Sequence, residues 1–124
     1  MNAFVPKTFT RDWIAAWNRS DVDAVLNHYA EDAIFVSPLA ATVTGNPEVR
    51  GKDALRAYWI KALKTVSCKL RFSLEAFIWD ESNQALLIVY ISTEPERRVR
   101  KCEMMHFNSK LLIDRGEAFV GAVL

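Results

Sequence analysis

Cysteine, glycine, proline and histidine are all scarce, with two, four, four and two copies in 124 residues. Cys68 and Cys102 lack the close Cys or His neighbours of a zinc site or a redox dithiol, and they read as reduced, half-buried thiols. A disulfide stays open only if their strands prove to be neighbours. So few glycines leave no glycine-rich phosphate loop, and neither a nucleophile elbow nor a metal-ligand set is present. No cofactor and no metal are expected. An excess of one charge is missing too: 16 Lys and Arg stand against 15 Asp and Glu, so neither nucleic acid nor an anionic membrane is an expected partner. No stretch approaches the roughly 20 apolar residues of a membrane span. Pro6 and Lys7 interrupt the place where a secretory signal would need an apolar core, so a cytoplasmic location is expected.

What is present is the composition of a globular chain, 51% hydrophobic and 25% charged. A chain of this length buries about two-thirds of its unfolded surface, enough for one core. With no linker or repeat, residues 1–124 read as a single domain.

Phe9, Trp13, Ala16 and Trp17 recur at helical spacing and predict a first helix capped by Thr8. Ser20 to Asp23 has the form of a capping box and opens a second helix burying Val22, Val25, Leu26 and Tyr29. Ala33 to Ser37 is short, branched and aromatic, a strand that Pro38 ends. Residues 39–50, with Thr44-Gly45-Asn46-Pro47, read as a surface loop. Asp53 caps a third helix whose buried stripe is Leu55, Tyr58, Trp59, Ala62 and Leu63.

Beyond Lys64 the period falls to two. Leu70, Phe72, Leu74, Ala76 and Ile78 share one face of a long strand, and three more strands follow over Ala85–Thr93, Val99–Phe107 and Leu111–Val123. Gly116 and Gly121 are possible bend points in the last. Helices first and strands last indicate an α+β domain, helices on one face of an antiparallel sheet. Phe77 and Trp79 oppose the Leu70 series, and Ala85 to Ile91 is nearly all apolar, so both faces are greasy. The uncovered face is expected to meet a second copy of the chain in a homodimer.

The stretch Asp12 to Asp23, then Tyr29-Ala30-Glu31-Asp32-Ala33, Ser37-Pro38 and Gly51-Lys52-Asp53-Ala54-Leu55, resembles the nuclear transport factor 2-like superfamily, in particular its SnoaL-like branch. Arg115 to Gly121 resembles the last strand of that branch. The resemblance implies a cone, a curved sheet whose concave face three N-terminal helices cover around a pocket, and commonly a dimer. It says little of chemistry, because one cone hosts many reactions. Against the ketosteroid isomerases of the superfamily, Ser37 falls where a carboxylate base belongs and Trp13 where a tyrosine belongs. Their second acid falls on Glu103 or on Met105, which share a strand face. The isomerase set is therefore broken. Arg115 and Glu117 offer fragments of the acid–arginine arrangement of the related epoxide hydrolases.

Glu103, amid Cys102, Met104 and Met105, is the foremost catalytic candidate, because burial raises a carboxyl towards the range useful for acid or base work. The competing reading makes it an ordinary ion pair with Lys101, Arg100 or a dimer partner. Alternation puts His106 on the opposite face, out of reach of Glu103. Tyr90 either orients a ligand carbonyl or is a core aromatic, and Ser37 is a second candidate for orienting substrate. Trp13, Trp17, Phe35, Trp59, Met105, Phe107 and Glu117 are the expected ligand-binding residues, the aromatics walling an apolar cavity. Arg97, Arg98, Arg100 and Lys101 read as the solvated charges of a hairpin tip, with a phosphate site as the alternative. The expected function is binding of a small, largely apolar molecule, with cofactor-free isomerase, cyclase or hydrolase chemistry by Glu103. The alternative is a non-catalytic binding or dimerisation module. A void of several hundred cubic ångströms with converging polar groups marks the first, and a filled cone the second.

Overall fold

A computed structural model describes residues 4–66 and 70–124; Cys68 lies outside them. The order is α1 (Pro6–Asn18), α2 (Val22–Leu26), β1 (Tyr29–Val36), α3 (Pro38–Thr44), β2 (Glu48–Arg50), α4 (Lys52–Val66), β3 (Arg71–Asp80), β4 (Ala85–Thr93), β5 (Arg98–Phe107) and β6 (Ile113–Val123). The strands form one curved sheet in the order β2-β1-β6-β5-β4-β3, antiparallel except where β1 runs parallel to β6. This is the expected α+β cone, with one more helix and one more strand than the sequence predicts.

The helix starts differ from expectation for local reasons. Pro6, with its fixed φ and no N–H to lose, occupies the first turn of α1, so the helix begins before Thr8. Asp21 rather than Ser20 caps α2, its carboxylate accepting from the Ala24 amide at 3.0 Å. Tyr29 opens β1 instead of closing α2. The expected loop over 39–50 holds α3 and β2. Ser37 caps α3, Pro38 sits at its first position and Gly45 ends it in the left-handed region. Seven residues give no readable helical period, which is why these end signals pass for turn chemistry.

The single alternation expected along β3 breaks midway. Pairing with β4 slips by one residue between Leu74 and Ala76, leaving Glu75 as the extra residue. Phe72 before the slip, and Phe77 and Trp79 after it, pack against the core under the helices, whereas Ala76 and Ile78 face solvent. Gly116 stands opposite Phe35, where an added Cβ would lie 3.2 Å from the Phe35 ring. Gly121 faces a second register slip, and a Cβ there would meet the Arg100 carbonyl oxygen at 2.9 Å.

The core is aromatic and one-sided. Trp13, Trp17 and Phe9 of α1, with Tyr58 and Trp59 of α4, pack onto Phe35, Leu86, Ile88, Tyr90, Met105 and Phe107. The other sheet face stays open. Ile78, Leu87, Met104 and Glu117 stand in register across four strands there, flanked by the row Ala76, Val89, Cys102 and Phe119. Ile78, Met104 and Phe119 are exposed.

The Asn18 side chain ties α1 to the sheet edge: its amide donates to the Phe72 carbonyl at 3.0 Å and accepts from the Phe72 N–H at 2.7 Å. Replacing Asn18 by Ala removes both bonds. The expected cost is about 1–2 kcal/mol, read as a lower midpoint in thermal unfolding with faster hydrogen exchange at the Phe72 amide.

Candidate active site

The inward residues of β4 and β5, with α4 and the β1–α3 junction, enclose a cavity of ≈ 110 Å³. Trp17, Phe35, Trp59 and Phe72 give it aromatic walls, Tyr58, Ser37, Tyr90 and Glu103 supply polar groups, and Glu94 and Lys101 stand towards one end. Leu39 and Val120, exposed members of the lining, mark its mouth. The volume falls between the two expectations, smaller than the several hundred cubic ångströms of a drug-sized pocket yet not a filled cone. It is on the scale of a single six-membered ring.

Glu103 is 5% exposed and reaches this cavity from the centre of β5. The Tyr90 hydroxyl donates to its Oε2 at 3.0 Å. No hydrogen bond among the described residues reaches its Oε1. Burial pushes the carboxyl up to about 7, against the opposing pull of the Tyr90 hydrogen bond and, more weakly, of the Lys101 charge. The group therefore takes up or releases a proton near neutrality. The Tyr90 phenol is held well above its usual range, first by its own burial and then by the Glu103 charge. It stays a donor, and its hydroxyl serves Glu103 before it can serve a ligand carbonyl.

Ser37 lies in the lining as expected, with structural duties. Its oxygen accepts from the Leu39 amide at 3.2 Å, capping α3, and from the Tyr58 hydroxyl at 3.4 Å. Its own proton is left to donate. Tyr29, fully buried, holds a hydroxyl without a hydrogen-bond partner among the described residues, and burial followed by the Glu103 charge raises its phenol well above the usual range.

The remaining expected ligand residues divide. Trp17, Phe35 and Trp59 line the cavity. Trp13, Met105 and Phe107 point inward but lie outside the lining: Trp13 packs on Trp17, Phe72 and Tyr90, and Phe107 on Phe4, Phe9 and Trp79, so the narrow end of the cone is filled. Glu117 is placed against expectation, opposite Met104 on the uncovered face, because β6 enters with Gly116 and Ala118 turned inward. Arg115 shares that outer side, beside His106. The acid–arginine fragment therefore does not meet the cavity. His106 pairs with Asp114 at 2.6 Å, away from Glu103 as alternation requires.

Lys101 does not neutralise Glu103 by contact. Its Nζ donates to Glu94 Oε2 at 3.0 Å, an oxygen that Ser92 Oγ also reaches at 3.2 Å, while Arg97 meets Glu94 Oε1 at 3.4 Å. Arg100 is paired with Glu75. Three of the four cations of the expected hairpin-tip cluster are thus held by acids. The sequence reading missed Glu94, Lys101 and Tyr58 as lining residues. Strand parity carried the signal for Lys101, which alternates with Glu103 and Met105.

No group of three His, Cys, Asp or Glu side chains suited to a metal ion occurs among the described residues, and Cys102 is a free thiol. Nor is any described helix long and apolar enough to cross a membrane.

The cone finds its counterpart in a known class. Residues 10–113 match the SnoaL-like domain, and the chain belongs to that family, within the nuclear transport factor 2-like superfamily. A SnoaL-like protein of unknown function from Burkholderia thailandensis E264 is 29% identical, with a TM-score of 0.83 and 94% of each chain covered. A putative ketosteroid isomerase from Kribbella flavida DSM 17836 shares the fold at 11% identity and a TM-score of 0.74, over 96% of this chain and 79% of the other. A computationally designed binder of 17-OHP does so at 15% identity and a TM-score of 0.69, over 94% and 92%. No curated protein is detectably similar in sequence.

Glu103 bears on stability as well. Its folded pKa, about 7, lies above its usual 4.5, so the native state holds a proton that the unfolded chain has lost. The contribution is fully present below the usual value and is lost as pH rises through about 7. Glu103→Gln keeps the neutral form at every pH. The expected result is a thermal midpoint that falls less than the wild type's between mildly acidic and mildly alkaline buffer, with the variant the more stable above neutrality. Tyr90→Phe removes a donor that favours the carboxylate, and should move the Glu103 midpoint upward when the carboxyl carbon is followed by NMR.

Proposed function

We propose that the cone binds a compact, largely apolar molecule in the ≈ 110 Å³ cavity and moves a proton on it without a cofactor. Glu103 is the acid or base, Tyr90 the group that holds it, and Ser37 the donor that orients the substrate. The observation that carries this reading is a buried carboxyl titrating near neutrality, one oxygen fixed by Tyr90 and the other without a hydrogen bond among the described residues, at an aromatic-walled cavity. The same reading takes the protein to work in the cytosol.

Exchange of a carbon-bound proton reports such chemistry without knowledge of the natural substrate. Deuterium uptake beside the carbonyl of cyclohexanone in heavy water should run faster with the protein than in buffer. Glu103→Gln should slow it by about 10²-fold or more. Binding without acceleration would assign the cavity to the competing reading, a non-catalytic binding module, which the aromatic filling of the narrow end supports.

The homodimer belongs to the proposal too, and the exposed Ile78, Met104 and Phe119, with the half-buried Leu87 between Ile78 and Met104, support it as the contact surface. Light scattering should give twice the chain mass for the wild type. The Met104→Lys, Phe119→Lys double variant should give the mass of one chain.

A further inference from the structure

The cation at the cavity mouth has no part in the chemistry above, and its placement narrows the ligand. Lys101 lies on the same inward side of β5 as Glu103 and lines the cavity with its ammonium group held against Glu94. An ammonium carries three N–H donors, and Glu94 takes one. Glu94, in turn, does not depend on Lys101 alone. Ser92 Oγ reaches the same oxygen and Arg97 the other, and against burial the carboxylate is held below its usual range by Lys101 first and then by Arg97 and Ser92. Lys101 can therefore share its charge with a ligand while Glu94 keeps two partners. Lys101 and Glu94 at the mouth, with Arg97 paired to Glu94, sum to one net positive charge, and Lys101 is the one cation among the described lining residues.

Resting on the ligand-pocket reading, we propose that the cavity takes compact ring carboxylates, the ring between Trp17, Trp59, Phe35 and Phe72 and the carboxylate on Lys101 Nζ at the mouth. Two acids oppose an incoming anion, and each is answered. Glu94 is already neutralised by its cations. Glu103 opposes it only when ionised. The other titratable groups around that carboxyl, Tyr90 from β4, Tyr29 from β1 and Tyr58 from α4, stay neutral, and Lys101 is the cation nearest it in sequence on the inward side. Carboxylate binding thus favours the protonated Glu103, and a neutral ligand of the same shape has no such preference.

Benzoate and its neutral isostere benzamide separate these effects in titration calorimetry. Benzoate should bind about tenfold or more tighter than benzamide, the gain expected of one charge-assisted hydrogen bond. Its affinity should fall as pH rises through about 7, while that of benzamide stays level. Lys101→Met, which keeps most of the unbranched side chain without its charge, should bring benzoate down to benzamide and leave benzamide unchanged. Lys101→Arg should retain the preference. Equal binding of the two probes by the wild type overturns the anchor and leaves the ligand pocket standing, as does a preference that survives Lys101→Met. Failure of both probes to bind overturns the anchor as well, and the ketone exchange then decides whether the pocket reading falls with it.

Discussion

The hydrogen bond from Tyr90 to Glu103 is the contact on which the interior turns. A carboxyl taken out of water into an aromatic core either finds donors or keeps its proton, and this one does some of each. The Tyr90 hydroxyl satisfies one oxygen and favours ionisation, while burial favours the neutral acid more strongly. The result is a proton held loosely near neutrality at a part of the core where space remains. Tyr90 itself is fixed by the rings of Trp13 and Phe72, so the packing of α1 on β3 and β4 sets the geometry of the acid.

That dependence explains how the cone divides. At the narrow end, Phe4, Phe9, Trp79 and Phe107 fill the space between helix and sheet. Elsewhere α4 and the β1–α3 junction leave the cavity, with Ser37, Tyr58, Tyr90 and Glu103 in its lining. The polar groups inside the described lining fall into hydroxyls and one titrating acid, Glu103, and a charged pair, Lys101 and Glu94, an arrangement suited to a small ligand with one greasy end and one polar end.

Much of this was legible in the residues. Helical spacing of Phe9, Trp13, Ala16 and Trp17 gave the face of α1, the limits of β4 came out residue for residue, and parity placed Glu103 inward and His106 outward. The failures share a cause. A register slip leaves no mark in composition, so the alternation begun at Leu70 was carried past Glu75 onto the wrong face. Glu117 was misplaced because the face of β6 depends on its pairing with β5 and not on its own sequence. Glu94 and Lys101 read as turn and charge run because their burial comes from elements distant in the chain. Trp13, Met105 and Phe107 show the converse limit: pattern says which side chains point inward, but not where the interior is left open.

Asn18 has one more consequence. β3 is the outermost strand on its side of the sheet, and an outer strand offers its peptide groups to any other extended chain. By occupying both the N–H and the carbonyl of Phe72, the Asn18 amide imitates a neighbouring strand at that position, and the kink at Glu75 spoils the straight run beyond it. The β3 border of the sheet is thereby blunted against endless growth by strand addition.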